Sequence, residues 1–294
     1  MAFEVIRFMN LKRLIITAFL FLAALVLITA LIAPNTFQIE KSIMIEAPSD
    51  LIYYHIHSQD SAQTRPPWLN ADTLYFNAFE RGKEKIFLSR QNCITKVKWN
   101  VMRHYAFPLN AFATVMPVKR KMETRVENRL DALKIHCEED VRIIESYQIR
   151  NIRFPAARYA AVREQVNFTE LHDFYTESIE LLYDILNSKN ARITGVPCLF
   201  IFSADENSLA EVAAAIPFAG DSPEGIEILE FPVMSGYELD FMGSYDHIHR
   251  AYFALNSFYK KENADMPSAV MEAFIQKNDS AYSHRTVKII FFVP

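Results

Sequence analysis

The stretch that decides the fold is NIRFPAARYAAVREQVNFTELHDFYTESIELLYDIL, Asn151–Leu186, because its pattern returns as ILEFPVMSGYELDFMGSYDHIHRAYFALNSFYKKEN, Ile228–Asn263. The Phe-Pro step of the first stretch recurs at Phe231, and Tyr175 aligns with Tyr252. Each stretch reads as strand, helix, strand, and the terminal run VKIIFFVP adds a further strand. Two copies of one such unit can bury their helices on one side of a joint antiparallel sheet. We therefore predict an α+β fold with a seam between two related halves.

A second feature is the unbroken apolar run LIITAFLFLAALVLITALIA, Leu14–Ala33, which is long enough to cross a membrane as a helix. It lacks an A-x-A-like end, which favours an uncleaved anchor over residues 1–35 rather than a signal peptide. Arg7, Lys12 and Arg13 precede it, and basic residues tend to stay in the cytoplasm. We expect a single-pass bacterial inner-membrane protein with its soluble part in the periplasm. The small charge margin leaves the cytoplasmic orientation open.

Composition bounds the remaining possibilities. The chain has 294 residues, of which 51% are hydrophobic and 22% charged, as in folded domains rather than disordered chains. Its formal net charge of -4 gives no basic surface for nucleic acid, so direct DNA or RNA binding is not expected. The three cysteines, Cys93, Cys137 and Cys198, are too far apart for a zinc motif and are predicted to be small buried side chains.

The segment after the anchor has the pattern of a sheet and a long helix. The run QIEKSIMIEAPSDLIYYHI predicts a strand followed by a helix that begins at a Pro-Ser-Asp step. Short strand candidates follow at 73–80 and 84–90, then a strand in CITKVKWNVM, and a helix over 118–139. The apolar face of that helix is formed by Met122, Val126, Leu130 and Leu133.

This segment, residues 36–140, resembles the START-like, polyketide-cyclase or SRPBCC superfamily. The resemblance is carried by KSIMIEAPSDLIYYHI at Lys41–Ile56, ITKVKWNV at Ile94–Val101 and NRLDALKIHCEE at Asn128–Glu139. It implies a helix-grip fold, in which a curved antiparallel sheet wraps a long helix around a ligand cavity. Residues 65–92 supply fewer strands than the family has, which implies a shortened domain whose pocket is reduced or lost.

The C-terminal part, residues 141–294, resembles the gyrase-inhibitor-like effector-binding domains of multidrug-responsive regulators. The residues that carry the resemblance are GVPCLFIFSAD at Gly195–Asp205, YELDFMGSYDHIHRAYFALNSFY at Tyr237–Tyr259, MEAFI at Met271–Ile275 and TVKIIFFVP at Thr286–Pro294. They include a Gly-x-Tyr step before a helix and a Glu-x-aromatic strand. The resemblance implies a two-fold repeated module that binds small molecules in a pocket at the junction of its halves.

Glu272 is the candidate polar anchor of that pocket. The resemblance implies that the glutamate of the Glu-x-Tyr strand points into an aromatic pocket; here Phe274 replaces the tyrosine. On a strand, Val270, Glu272 and Phe274 share one face, which sets a carboxylate among apolar groups. Desolvation should raise its pKa, and nearby rings favour a delocalised cation by about 0.5 to 2 kcal/mol per contact. The alternative is that Glu272 lies on a solvated edge strand, where a carboxylate is ordinary.

Further aromatic residues are candidates for the walls of the pocket, although rings on strands and helix faces more often belong to the core. Glu238 and Asp240 alternate with apolar residues and are predicted to face solvent. The candidate ring residues are Tyr147, Tyr159, Phe200, Tyr237 and Tyr252.

No catalytic residue, metal ligand or cofactor is assigned from the sequence. The His-x-His pairs at His55 and at His247 fall in predicted helices, where side chains two residues apart do not face each other. Ser244, Asp246 and His247 are too close along one helix to act as a hydrolytic triad.

These observations favour a membrane-anchored protein that captures a small hydrophobic or cationic molecule. Two alternatives stay open. One is a hydrolase of small hydrophobic electrophiles that uses Glu272, which a tyrosine hydroxyl within hydrogen-bond reach would favour. The other is an envelope interaction scaffold, which a closed, side-chain-filled seam would favour. The sequence does not identify protein partners.

Overall fold

The chain is a mixed α+β protein with antiparallel sheets and an apolar N-terminal helix. It forms two compact units; the first draws on residues 1–49 and 75–136, the second on 50–74 and 137–294. The predicted boundary after residue 140 stays a prediction, but the second helix of the chain groups with the C-terminal unit. The computed structural model describes residues 2–58, 79–81, 84–91, 94–107, 109–110, 118–204, 209–262, 267–275 and 285–293.

The N-terminal helix α1, Ala2–Ile32, contains the predicted apolar run. Its segment Ile15–Ile32 has a mean hydropathy of 2.9 and is 6% buried, so by length and composition it could cross a membrane. The helix end has a specific partner: the buried Asn110 side chain donates hydrogen bonds to the carbonyl oxygens of Ala30, at 2.6 Å, and Ala33, at 3.1 Å. This satisfies carbonyl groups that the last turn of a helix leaves free.

The first unit contains a four-stranded antiparallel sheet in the order β1-β4-β3-β2. The strands are β1 (Thr36–Ile45), β2 (Phe79–Arg81), β3 (Glu84–Gln91) and β4 (Ile94–His104). These bounds confirm the predicted strands at 84–90 and in CITKVKWNVM; residues 73–78 and Cys93 lie outside the described part. Residues of β4 alternate between buried and exposed, as predicted for a strand with one covered face.

The long helix α3, Val118–Ser146, extends seven residues beyond its predicted end. Val126, Leu130 and Leu133 of its predicted apolar face are buried, and the Arg129 guanidinium lies 5.6 Å from the centre of the Trp99 ring of β4. A helix thus covers the sheet of this unit. The START-like assignment stays a prediction, since nothing in these elements is specific to that superfamily.

The second unit begins with helix α2, Ser49–Ser58, and is built on a nine-stranded sheet. Its helices are α4 (Leu171–Ser188) and α5 (His249–Lys261), the latter preceded by a short 3-10 helix, Tyr245–His247. Its strands are β5 (Arg150–Phe154), β6 (Ala157–Asn167), β7 (Arg192–Ile193), β8 (Cys198–Ala204), β9 (Leu209–Ala219), β10 (Glu227–Phe231), β11 (Met234–Gly243), β12 (Ala269–Ile275) and β13 (Arg285–Phe292).

Each half of this unit has two strands before its helix where the sequence predicted one, because the Phe-Pro steps at Pro155 and Pro232 interrupt the extended chain. The main sheet order is β10-β6-β9-β8-β12-β13-β11-β5, with β7 paired to β9. The order reads alike from both ends when β5 corresponds to β10, β6 to β11, β8 to β12 and β9 to β13. This order is compatible with duplication of one unit, which stays a prediction.

Helices α4 and α5 pack on the same face of this sheet. Leu182 and Leu186 of α4 contact Ala214 and Ile216 of β9, while α5 packs in a neighbouring cluster that includes Leu199 of β8. Alternate residues of the same strands form a separate apolar cluster on the opposite face. We call the two sides the helix face and the open face; they decide where the candidate site residues lie.

Candidate functional site

Glu272 lies on β12 in the middle of the nine-stranded sheet, with Leu199 of β8 and Ile289 of β13 as its cross-strand neighbours. Its side chain points to the helix face, among the residues that pack around Val270 and Phe291. The residue is 1% exposed. Of the two possible environments for this carboxylate, the structure thus shows the buried one.

Two tyrosine hydroxyls hold the Glu272 carboxylate. Tyr245, on the 3-10 helix, donates to Oε2 at 2.7 Å, and Tyr252, on α5, donates to Oε1. Among the residues that the structure describes, no basic side chain lies within salt-bridge distance of Glu272. A buried carboxylate with neutral donors alone is stabilised less than one with a cationic partner.

Burial raises the pKa of Glu272, and the hydrogen bonds from Tyr252 and Tyr245 oppose that rise without cancelling it. The same burial, together with the nearby Glu272 charge, raises the pKa of Tyr245 well above its ordinary value. Tyr245 therefore stays protonated and remains a donor. The direction of the Glu272 shift means that folding makes the neutral acid more favourable than it is in the unfolded chain.

This shift predicts a pH dependence of stability. Because the folded pKa lies above the unfolded one, the folded state holds the proton more tightly, and the parent loses stability as pH rises from the ordinary glutamate pKa to the raised one. The loss is at most about 1.4 kcal/mol per pH unit. Thermal midpoints of parent and Glu272→Gln, measured upward from the ordinary glutamate pKa, should diverge in favour of the variant as pH rises. A constant or shrinking difference would contradict the shift.

Most of the predicted ring residues share the helix face with Glu272. Phe274 packs against Tyr175 of α4, with ring centres 4.7 Å apart, and Tyr147 and Tyr237 contact the same cluster. Tyr237 makes edge-to-face ring contacts with Phe258 and Tyr259, at its own end of the cluster. These rings fill the surroundings of the carboxylate rather than line an open slot.

Tyr159 and Phe200 lie on the open face, away from the carboxylate. There the sheet carries a cavity of about 830 Å³. Met271 and Ala273, the neighbours of Glu272 in sequence, contribute to its wall, because successive strand residues point to opposite faces. The pocket predicted from the sequence is thus divided into a buried acidic cluster and an apolar cavity. Other residues of the cavity wall include Phe154, Arg158, Tyr159, Cys198, Glu230 and Phe231.

The pair Glu238 and Asp240 differs from the prediction of a solvent-facing pair. Asp240 is exposed, but Glu238 is only 8% exposed because Arg150 and Lys288 cover it. Arg150 Nη2 lies 2.7 Å from Glu238 Oε1 and 2.5 Å from Asp240 Oδ2, and Lys288 Nζ lies 2.9 Å from Glu238 Oε2. This network accounts for both carboxylates without a ligand.

Two features of the second unit were missed by sequence reasoning. Tyr245 belongs to the Gly-x-Tyr step, which indicated the fold but was not assigned to the site; its place directly before the helix is the only signal for it. The other feature is a cluster at Asp140, where His55 and His249 each use Nε2, at 2.9 and 3.0 Å from Oδ2. His247, which precedes His249 by two residues, is not part of this cluster, in keeping with the helical spacing of that pair.

No protein-family model matches this chain, and no curated protein matches it. Solved structures with a similar arrangement include the EcmrR C-terminal domain, at 17% identity and a TM-score of 0.42 over 51% of this chain and 98% of that chain. Another is SAV2435 bound to tetraphenylphosphonium, at 8% identity and a TM-score of 0.38 over 51% of this chain and 94% of that chain. A hydrolase from Listeria innocua is similar at 11% identity and a TM-score of 0.37 over 49% of this chain and 91% of that chain. Likeness at this level carries no statement about the ligand or activity of the present chain.

Proposed function

We propose that this protein is a membrane-anchored receptor for a small lipophilic cation, with Glu272 as its anionic anchor. The observation that carries the proposal is a buried carboxylate whose direct partners are the neutral hydroxyls of Tyr245 and Tyr252. A cation that reaches this carboxylate replaces a hydrogen-bonded anion by an ion pair in a low-dielectric site, where Coulomb attraction is strong.

Aromatic rings add selectivity for size and charge spread. Phe274, Tyr175 and Tyr245 form a chain of ring contacts beside the carboxylate, with ring centres 4.7 and 6.2 Å apart. Rings of this kind attract a delocalised cation and bury apolar ligand surface. A compact cation gains less binding free energy from such rings, because it stays strongly hydrated.

Tyr245 is the proposed entrance. It is 42% exposed although its hydroxyl reaches a carboxylate that is 1% exposed, so one side chain separates Glu272 from solvent. It stands on a three-residue 3-10 helix, which fewer hydrogen bonds hold than a long helix. Rotation of this ring would open the helix face to a ligand. The ligand then takes the place of the tyrosine hydroxyl at Oε2.

The anchor places this receptor at a membrane surface. Helix α1 is apolar enough to span, and the basic residues Arg7, Lys12 and Arg13 before the span favour a cytoplasmic N-terminus. We propose a bacterial inner-membrane protein whose two units lie in the periplasm. Lipophilic cations partition into membranes, so a receptor held there meets them at raised concentration.

The proposal is tested by calorimetric titration of the full chain in uncharged detergent with tetraphenylphosphonium, a bulky lipophilic cation. We expect binding to the parent, at least about tenfold weaker binding to Glu272→Gln, a change of about 1.4 kcal/mol, and no change in Glu262→Gln, an exposed carboxylate at the end of α5. Tetraphenylborate, an anion of the same shape, should not bind at this site. Equal binding by the parent and Glu272→Gln would exclude Glu272 as the anchor.

A further variant distinguishes the Glu272 cluster from the open-face cavity. Ala157→Leu adds a side chain at the wall of the open-face cavity without touching the helix face. If it abolishes tetraphenylphosphonium binding while Glu272→Gln does not, the ligand binds in that cavity and the proposed site is wrong. If neither the Glu272 cluster nor the open-face cavity binds the cation, the interaction-scaffold alternative is favoured.

A hydrolase is the second candidate, because the Tyr252 hydroxyl contacts the Glu272 carboxylate within the same cluster. Such a pair can orient a water molecule and supply a proton to a leaving group. A small activated ester such as p-nitrophenyl acetate would show this as steady release of p-nitrophenol. The release should be lost in both Glu272→Gln and Tyr252→Phe; release that persists in both variants would assign it to another group.

A further inference from the structure

Three helical segments within the second unit bring two imidazoles and a carboxylate together. His55 comes from α2, Asp140 from the end of α3 and His249 from the start of α5. The Nε2 atoms of both histidines lie close to the same oxygen, Asp140 Oδ2, at 2.9 Å for His55 and 3.0 Å for His249. All three ligand-type atoms lie within 4.8 Å of one another. Arg250 Nε occupies the other oxygen, Oδ1, at 2.7 Å.

The hydrogen-bond pattern of His249 is incomplete for a neutral ring. Its Nδ1 lies 3.3 Å from the carbonyl oxygen of Asp246, while its Nε2 lies 3.0 Å from Asp140 Oδ2. A neutral imidazole carries one N–H, so it can donate to only one of these two acceptors. If Nδ1 donates to the carbonyl, an Nε2 lone pair faces the carboxylate. A cation between Nε2 and Oδ2 resolves this conflict.

An imidazole that binds a metal through Nε2 and donates Nδ1–H to a backbone carbonyl is the usual arrangement of metal-binding histidines. His249 has this arrangement with the carbonyl of Asp246.

The positions of the donor atoms suit a small transition-metal ion. Tetrahedral zinc with bonds of about 2.0 to 2.1 Å places its ligand atoms about 3.3 Å apart. The two distances to Asp140 Oδ2 are shorter than this by a few tenths of an ångström. Small side-chain rotations would increase them to the separation that the ion requires. The His55 and His249 rings are perpendicular, with centres 5.9 Å apart, so the two rings do not stack on each other.

The surroundings hold the donors in place but leave an approach. Tyr54 packs against the His249 ring with centres 4.5 Å apart, and Arg250 fixes the plane of the Asp140 carboxylate. The Asp140 and His249 side chains are 3% and 9% exposed, whereas His55 is 15% exposed. Among the described residues, His55 is therefore the most accessible of the three donors, and the proposed ion would keep a water molecule on that side.

We propose that His55, Asp140 and His249 form a binding site for a divalent transition-metal ion of the zinc class. Calcium and magnesium are excluded as the preferred ions, since they require oxygen ligands and this group offers two nitrogens. Arg250 adds a positive charge beside the ion, so binding is weaker than in a site with a second carboxylate. The site is distinct from the Glu272 cluster and shares no residue with it.

The test uses the full chain in detergent, stripped with a chelator and titrated with Co²⁺ and Zn²⁺. We expect one equivalent of Co²⁺ with visible d–d absorption typical of mixed nitrogen and oxygen ligands, and displacement of Co²⁺ by Zn²⁺. His55→Ala, the most exposed ligand, should weaken Zn²⁺ binding by at least about a hundredfold. His172→Ala, at an exposed histidine of α4, should bind as the parent does.

Two results would overturn the site. One is a parent that takes up no stoichiometric Co²⁺ or Zn²⁺; the other is unchanged Zn²⁺ affinity in folded His55→Ala. Should that variant fail to fold, X-ray absorption of the Zn²⁺-loaded parent decides instead. Two imidazoles in its first coordination sphere support the proposal, and none or one excludes it.

Discussion

Replacing Leu182 with alanine should lower the thermal stability of the C-terminal unit strongly. Leu182 is 0% exposed on α4 and packs on Ala160, Ala214 and Ile216 of the sheet. Truncation removes buried apolar contacts and leaves a cavity between helix and sheet, at a cost of about 2 to 5 kcal/mol. Circular dichroism melting of the full chain in detergent measures the effect as a lower midpoint.

The neighbouring residue supplies the control. Leu181 has the same side chain on the same helix but is 50% exposed, so Leu181→Ala should change stability by about 0.5 kcal/mol or less. Similar losses in the two variants would show that α4 does not present the Leu182 face to the sheet. A small loss in both would place α4 outside the cooperative core.

Replacing Asp140 with alanine is expected to be the most damaging change among the polar residues. Its side chain is 3% exposed, accepts a hydrogen bond from Arg250 Nε and lies within hydrogen-bond distance of the Nε2 atoms of His55 and His249. Burial by itself would raise the pKa of Asp140, but the contacts with the two histidines and the Arg250 cation outweigh it and hold the pKa well below its usual range. Loss of the carboxylate leaves these three polar groups without their shared partner, at a cost of about 3 kcal/mol.

Melting should be recorded with chelator present, so that metal binding does not enter the comparison. Asp131→Ala is the matched control, since Asp131 is an exposed aspartate on the same helix, and its effect should be about 0.5 kcal/mol or less. An Asp140→Ala midpoint equal to that of the control would mean that the cluster contributes nothing to stability. In that case, removal of the anionic ligand of the proposed metal site would leave the stability of the metal-free protein unchanged.

The Glu272 cluster shows which features of the site the local sequence pattern of β12 can predict. The alternation of Val270, Glu272 and Phe274 predicted that they share a face, and the buried helix face confirms it. The same alternation puts Met271 and Ala273 on the open face, where the cavity lies. Which face holds the cavity depends on side chains from other strands, such as Tyr159 and Phe231, and no periodicity within β12 contains that information.

The residues that complete each cluster come from distant parts of the chain. Tyr245 and Tyr252 reach Glu272 from the segment before β12, and His55 and His249 reach Asp140 from opposite ends of the unit. Helical spacing bears only on chelation within each His-x-His pair. It could not predict a meeting between different helices, because that depends on packing.

The sequence alone determined the apolar span of α1, the strand alternation in β4 and the apolar face of α3, since each is a repeat of side-chain type along a few turns or strand residues. Only the tertiary structure decided that Glu272 is closed by two tyrosine hydroxyls, that the cavity opens on the other face and that Asp140 gathers two histidines. Those features depend on which elements pack together, and packing sums many weak contacts between residues far apart in the chain.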